Sequence, residues 1–472
     1  MASPRQPNLN SVTSINADGS RYFIHTADVK GKWTGMRRVV AFALIVLYLA
    51  LPWIPIGGHP AVFLDVETRN FHVFGLHFVP QDFWMMFFAV TGLGFALFFA
   101  TALLGRLWCG WACPYTVFLD HVYRRIERWV EGDAQARRKL DEAPWTAGKI
   151  AKRLVKHGLY AGIAALIAHA FLAYFVSLPR LYHFMHEGPL QHATAFGVVL
   201  FLTVTLWFCF GYFREQFCII MCPYGRLQSA LTDDDTVTIG YDANRGEPRG
   251  AVGKAEGDCV DCRRCVNVCP TGIDIRNGLQ LECIGCAACI DACDDIMTKL
   301  NRPKGLVRYD SLTGFSGKPR RVLRPRIYAY SVLGMLGLAA LVLVSWLKFS
   351  SFTATVSRVS GAGYSVDAEG VRNVFLMRVN NKRGEDAKVG IRLAPGTPAG
   401  YRLADGNADF RIPAEDEVTR TCTVIAPRGS YTGPCTIRLE IYDETGKVQV
   451  TKTTRFMGPN PNTLNTPDPQ PK

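Results

Sequence analysis

Five stretches of about twenty residues, 39–57, 83–104, 159–178, 194–213 and 327–347, contain no Asp, Glu, Lys or Arg. Each is long enough to cross a hydrocarbon layer as a helix, which satisfies its own backbone hydrogen bonds there. Apolar residues segregated this sharply along 472 positions predict a membrane protein with five spanning helices. The first stretch carries Pro52 and Pro55 near one end, so its last turn is expected to break or lie at the interface. It does not read as a cleaved signal peptide, because 38 residues precede it and no small-x-small site follows.

The net charge of +13 is distributed by loop. Residues 1–38 carry six Lys and Arg, 105–154 carry ten and 214–326 carry seventeen, whereas 58–82 and 179–192 contribute only Arg69 and Arg180. The positive-inside rule then puts the amino terminus and both basic loops in the cytoplasm and the carboxy-terminal segment outside. Charge arranged as topology excludes a nucleic-acid footprint, which needs a basic face with interleaved aromatic residues. A basic run at 318–326, directly before the fifth stretch, suits contact with anionic membrane lipid.

The expected organisation follows. A cytoplasmic segment (1–38) leads into four spanning helices (39–213), then a cytoplasmic region (214–326) with a cysteine-rich module at about 255–300, and a fifth helix (327–347). Residues 348–457 then alternate in short strands, such as 374–379, 389–393, 437–442 and 448–454, punctuated by Gly, Pro and Asn. That pattern predicts a β-sandwich on the outer side. The last residues, 458–472, are rich in Pro, Asn and Thr and read as a disordered tail. Cys422 and Cys435 fall in the sandwich, where a disulfide between adjacent strands, two buried thiols or a metal pair are all open readings.

The module at 255–300 carries two runs, Cys259-x2-Cys262-x2-Cys265-x3-Cys269-Pro270 and Cys283-x2-Cys286-x2-Cys289-x3-Cys293. Both have bacterial ferredoxin spacing. In that pattern the fourth cysteine of each run ligates the other cluster. One 4Fe-4S cluster would take Cys259, Cys262, Cys265 and Cys293, and a second Cys283, Cys286, Cys289 and Cys269. Zinc or disulfides can also consume cysteines, but neither accounts for two consecutive runs at this spacing in a cytoplasmic loop. Asp294 stands where the second run would have proline. That removes a turn-stiffening residue but no ligand, and sets a carboxylate beside a thiolate.

A repeat lies in the membrane part. Leu104 is followed five residues later by Cys109 and then Cys113-Pro114-Tyr115; Phe213 is followed at the same interval by Cys218 and then Cys222-Pro223-Tyr224. Four residues is close to one helical turn, so each pair is expected to present two sulfurs on one helix face before a proline bend. Should the repeats meet, four thiols converge, a set suited to Cu(I), zinc or a redox-active disulfide. Cysteine as a small hydrophobe near a helix end is the plainer reading, less apt for two pairs at matched positions. Cys209 has no matching partner and reads as packing. His169 is the single histidine deep in an apolar span, which disfavours a haem held by paired histidines. His59, His72, His77, His183, His186 and His192 fall on the outer side, where binding copper and simply occupying a wet interface are both open readings, the second being the plainer.

The two Cys-x3-Cys-Pro pairs followed by the two ferredoxin runs, on this topology, resemble the CcoG family, also called FixG or RdxA. The resemblance extends over essentially the whole chain, with a five-helix bundle, an inserted two-cluster ferredoxin and an outer immunoglobulin-like sandwich. It implies a bacterial inner-membrane protein that reduces Cu(II) to Cu(I) for biogenesis of the cbb-type cytochrome c oxidase. Cys109, Cys113, Cys218 and Cys222 would be the copper-handling thiols. The implied partners are oxidase subunits or a copper chaperone and a cytoplasmic electron donor; nothing in the chain demonstrates or forbids a homodimer. Related membrane polyferredoxins of nitrate and nitrous oxide respiration share the Cys-x3-Cys-Pro pairs, so a quinol-linked electron shuttle is the competing function. A non-enzymatic scaffold for oxidase assembly is a third.

Overall fold

A computed structural model describes residues 22–461 apart from 254–255, 349–350, 360–362 and 405–408. Residues 1–21 and the tail residues 462–472 therefore lie outside the described residues. The chain divides into two compact units, residues 1–66 with 87–340 and residues 67–86 with 341–472.

Five helices are long and apolar enough to cross a membrane: Lys32–Trp53, Phe83–Leu104, Ala147–Leu172, Ala193–Phe213 and Pro325–Val344. Two depart from the sequence expectation. The first begins at Lys32 rather than residue 39 and passes at Leu51 into a 3-10 turn over Leu51–Trp53. Its early start is held from outside: Asp291 accepts from Trp33 N at 3.2 Å and from Thr34 N and Oγ1, both at 2.7 Å. The third begins at Ala147 rather than residue 159 and stops at Leu172 instead of 178. Thr146 caps it by accepting from Lys149 N, and its basic first turns find partners, with Lys149 Nζ on Ala143 O at 2.6 Å and Lys156 Nζ on Glu131 at 2.9 Å. Charge in a helix excludes it from lipid only when the charge is unmatched. Beyond its end a separate helix, Leu178–Glu187, forms.

In the first unit, the cysteine-rich module is wider than 255–300. The antiparallel pair Thr238–Tyr241 and Val307–Asp310 closes around it. Ile239, Ile275, Ala287, Ile290, Met297, Leu306 and Val307 form one apolar core with the cysteines. The helix Ala288–Lys299 runs through that core.

The second unit is a sandwich of two antiparallel sheets with its own core. Strands Arg402–Leu403, Glu417–Pro427, Gly370–Asn381 and Phe352–Arg358 lie in that order, with Ser365–Val366 added to the third. Asp409–Ile412, Ala387–Leu393, Cys435–Asp443 and Val448–Phe456 make the other sheet. Alternate residues Phe375, Met377 and Val379 point inward against Ile437, Leu439, Ile441 and Phe456, the two-residue period of a half-buried strand. Cys422 and Cys435 are on opposite sheets rather than adjacent strands and are not joined by a disulfide; Cys435 Sγ lies 3.5 Å from Tyr401 Oη. The start of the expected tail is docked, since Tyr431 Oη donates to Pro459 O at 3.0 Å.

Candidate functional site

Two cavities lie in the ferredoxin-like module. One is lined by Cys259, Cys262, Cys265 and Cys293 together with Ile296, Met297 and Leu306. The other is lined by Cys269, Cys283, Cys286 and Cys289 among Ile239, Ile273 and Ile275, with Cys265 bordering both. With Cys265 counted to the first, each cavity draws three cysteines from one run and one from the other. The backbone explains how. Asp261 and Arg263 flank the second cysteine of the first run at φ 49° and 54°, and Gly285 and Ala287 flank that of the second at 68° and 62°. Both runs are curled by the same left-handed pair, a conformation that non-glycine residues hold only where the surroundings enforce it.

An all-sulfur donor set in an apolar shell fits an iron-sulfur cluster. A single zinc does not fit, because bonds of about 2.3 Å bring four sulfurs within roughly 3.8 Å of each other. Among the described residues, no three cysteine sulfurs lie within 4.8 Å of one another. Asp294 does not turn into the cavity chain-on but accepts from Gly305 N at 2.9 Å, closing the turn after the helix.

The Cys-x3-Cys pairs do not each lie on one continuous helical face. Cys109 belongs to the short helix Leu107–Trp111, the chain breaks at Ala112, and Cys113 is the extended residue before the helix Pro114–Phe118. Likewise Cys218 sits in a π-turn, Phe217–Met221, and Cys222 precedes the helix Pro223–Leu231. Proline at the first helical position restarts each helix after its second cysteine.

The repeats meet reciprocally. Tyr115 Oη donates to Cys209 O at 2.9 Å and Arg214 O at 2.6 Å, at the entry to the second pair. Its counterpart Tyr224 bonds Thr101 Oγ1 at 2.6 Å, at the entry to the first. Arg106 reaches across to Gly225 O at 2.6 Å. Cys113, Cys109 and Cys222 all bear electrostatically on Cys218, and Cys113 and Cys222 on Cys109. Burial pushes the Cys109 and Cys218 thiols up to about 12, so ligation there must expel protons.

This thiol centre abuts the second cavity. Cys109 is packed against the apolar cluster that contains Ile284 and Cys286. Gly110 makes the contact: a Cβ there would stand 2.5 Å from Ile284 O and 3.0 Å from Cys286 N, a backbone approach that only glycine permits. Trp111 Nε1 donates to Gly285 O at 3.3 Å and to Tyr309 Oη at 3.2 Å, and Tyr309 Oη donates to the same carbonyl at 2.6 Å.

A buried charge network underlies both. Arg37 Nε donates to Gly110 O at 2.6 Å and its guanidinium pairs with Asp120. Arg124 bonds Asp120 Oδ1 at 2.7 Å, Pro270 O at 2.8 Å and Glu215 at 3.4 Å. Arg214 and Arg137 close on Glu127 at 2.8 and 2.9 Å. Burial opposes ionisation of Asp120, but Arg37 and Arg124 outweigh it and hold the carboxyl down at about 2. Glu127 is held at about 2 in the same way, burial being outweighed by Arg214, Lys156 and Arg137. Four guanidinium groups thus face three carboxyl groups, with Arg37 near Cys286 and Arg124 on the Pro270 carbonyl next to Cys269.

Sequence reasoning did not single out Arg37, Asp120 and Arg124. Charged residues abutting apolar spans were the available signal. The segment leading into the first helix was missed as well. Ala27 N donates to Asn267 O at 2.8 Å and Arg137 donates to Thr26 O at 2.8 Å. The outer-side histidines are distributed differently: His72 stacks on His77 at 4.7 Å, His59 stacks on Phe63 at 6.4 Å, and His183 and His192 both pair with Glu187. His186 packs edge-on against Tyr182 at 4.4 Å. His169 Nδ1 lies 2.7 Å from Ala165 O on its own helix.

Family models match along the chain: a 4Fe-4S dicluster domain over residues 213–312, a 4Fe-4S binding domain over 84–132, and the immunoglobulin-like fold at the carboxy terminus of FixG over 342–459. The chain is 37% identical to protein RdxA of Cereibacter sphaeroides, covering 85% of this chain and 89% of that one. To RdxB of the same organism it is 35% identical, over 85% and 88%. To the nitrogen fixation protein FixG of Rhizobium meliloti it is 38% identical, over 61% of this chain and 57% of that one.

Proposed function

The chain belongs to the family of RdxA, RdxB and FixG, and from that premise we propose that this iron-sulfur electron-transfer protein reduces Cu(II) to Cu(I) at the thiol centre of its two repeats. The observation that carries the reading is the direct apposition of Gly110 to Ile284 and Cys286, which leaves no side chain between the second cavity and the Cys109 segment.

Cys259, Cys262, Cys265 and Cys293 would hold one 4Fe-4S cluster and Cys283, Cys286, Cys289 and Cys269 the other; bound there, the clusters supply one-electron carriage. Cys262 is exposed while Cys286 is buried, which supports entry of electrons from a cytoplasmic donor at the first cavity and their exit toward the thiols from the second. Arg124 anchors the Cys269-Pro270 turn to Asp120 and Glu215, which keeps the second cavity in register with the repeats. Trp111 and Tyr309 clamp Gly285 and exclude water from the contact. Cys109, Cys113, Cys218 and Cys222 are the last station, where Cu(II) accepts one electron and leaves as Cu(I). Thiolate surroundings favour that oxidation state.

The distribution of Lys and Arg among the loops supports placing this machinery on the cytoplasmic face of the bacterial inner membrane and the sandwich in the periplasm. A copper chaperone or cbb-type oxidase subunits would receive the product, and the basic run at 318–326 would rest on anionic lipid. Anaerobic, fully reduced protein mixed with Cu(II) is expected to be reoxidised with one Cu(I) formed per electron. The double variant Cys109→Ser/Cys113→Ser is expected to slow this about tenfold or more while leaving the ferredoxin cluster spectrum unchanged. An unchanged rate would remove the thiol centre from the path. Cluster reduction by a quinol in the absence of copper would favour the shuttle instead.

A further inference from the structure

We propose that His183, Glu187 and His192 form a binding site for a divalent transition-metal ion, best matched to Cu(II), in the loop that joins the third and fourth spanning helices. The site is separate from the thiol centre and does not rest on the reduction of copper there.

Residues 179–192 contain three histidines and, as formal charges, only Arg180 and Glu187. A short histidine-rich tract is a composition that binds metal, and the fold sorts which of the three take part. His183 and Glu187 are four residues apart on the helix Leu178–Glu187 and so share a face. Gly188, at φ 86°, ends that helix, and the chain turns back so that His192 opens the next one, Ala193–Phe208. The His192 ring stacks on Phe184 at 3.9 Å, which holds the imidazole beside the first helix. Its Nε2 meets Glu187 Oε2, while His183 Nε2 lies 2.9 Å from Oε1. His186 instead packs edge-on against Tyr182.

An ordinary surface ion pair needs one histidine. Here two imidazoles, one within a helix and one at the start of the next, aim the same atom, Nε2, at the two oxygens of one carboxylate. Two metal bonds of about 2.0–2.1 Å at right angles separate their ligand atoms by about 2.9 Å, which is the distance between His183 and Glu187. The set is open: among the described residues these three ligand atoms do not all fall within 4.8 Å of one another. Closure asks only for rotation of the His183 side chain, which is 65% exposed.

Imidazole and carboxylate donors without sulfur suit Zn(II), Ni(II) or Cu(II), with Cu(II) held most tightly. The site is thus chemically unlike the repeat thiols, which favour a soft ion. It is also remote from them. The span Ala193–Phe213 lies between His192 and Cys218, and its 21 residues rise about 30 Å.

The test is electron paramagnetic resonance during a Cu(II) titration of anaerobic full-length protein with its clusters oxidised, a state in which 4Fe-4S clusters carry no net spin. It is run on the wild type and on a background with Ser at positions 109, 113, 218 and 222, where no repeat thiol competes. A nitrogen-coupled Cu(II) signal is expected in both, rising to about one ion per chain. His183→Ala and His192→Ala should each weaken this binding by at least the roughly 10–100-fold that losing a residue behind a metal ligand costs. Glu187→Gln should weaken it as well, and His186→Ala should leave it unchanged. No nitrogen-coupled signal in the thiol-free background overturns the proposal, as does a signal that both His183→Ala and His192→Ala leave in place or that His186→Ala removes. Should the thiol-free background fail to fold, the wild-type titration carried past saturation of the thiols decides by the same criteria. The thiol-centre reading stands or falls separately, by the reoxidation assay.

Discussion

Asp120 sits between two guanidinium groups from different parts of the chain, Arg37 of the first spanning helix and Arg124 four residues on. Removing its charge leaves Arg37 buried without its carboxylate and Arg124 with Glu215 alone, a kind of loss that costs about 3–5 kcal/mol. Asp120→Asn is therefore expected to lower the melting midpoint in detergent markedly. The effect has a definite pH window. The folded carboxyl is depressed to about 2 against an ordinary 3.8, so its stabilisation is complete above the unfolded value and is lost as pH falls through the folded one. The gap between wild type and Asp120→Asn should hold from neutrality down to about pH 4 and close as pH falls toward about 2. A gap independent of pH would show that the carboxylate charge is not what holds the site. At this scale the cysteines were legible from spacing alone, since ferredoxin loops are local. Arg37 and Asp120 were not, because residues 83 apart in sequence meet only after the helices assemble.

At the scale of elements, ends were decided from outside. The first helix has no side-chain cap of its own at Gly31; it borrows Asp291 from the helix Ala288–Lys299. Gly31 is required there, since a Cβ would stand 2.2 Å from the Asp291 carboxyl carbon. A single side chain thus ties the cluster module to a membrane span. Asp291→Ala is expected to cost about 1–2 kcal/mol, as loss of a cap does, and Asp291→Asn, which still accepts, should recover most of it. Limited proteolysis within residues 22–31 together with the melting midpoint measures this. Equal sensitivity of the Ala and Asn variants would argue against the cap. Hydropathy located all five spans but misjudged two helix starts by seven and twelve residues, counted from 39 and 159 to Lys32 and Ala147. It treats every Lys and Arg as a stop, whereas Arg37, Lys149 and Lys156 are paired along the helix flank.

For the whole molecule, function is concentrated in the first unit, where both ferredoxin cavities and all four repeat thiols lie. The sandwich closes its core with its own residues, from Phe352 to Phe456. Deleting residues 353–472 is therefore expected to leave iron content and Cu(II)-driven reoxidation within about twofold of the full-length protein in vitro, as for independently folding domains. A collapse of the iron content would mean that the sandwich is needed to form the centres. Intact chemistry with loss of oxidase assembly in cells would assign the sandwich to partner binding.

The amino-acid sequence by itself determined the five spans, the grouping of eight cysteines into two sets of four, the repeat of Cys-x3-Cys-Pro and the strand pattern of the sandwich. All of these follow from short-range periodicity and spacing, which the local chain enforces. Tertiary structure alone decided that the five-stretch pattern begins at Lys32, that each cysteine pair spans a helix break, and that the two pairs interleave into one centre against Cys286. Those outcomes depend on contacts between residues far apart in sequence, Tyr224 with Thr101, Gly110 with Ile284 and Arg37 with Asp120. No local rule encodes such contacts, because each is stable only once the other repeat and the ferredoxin loop are in place.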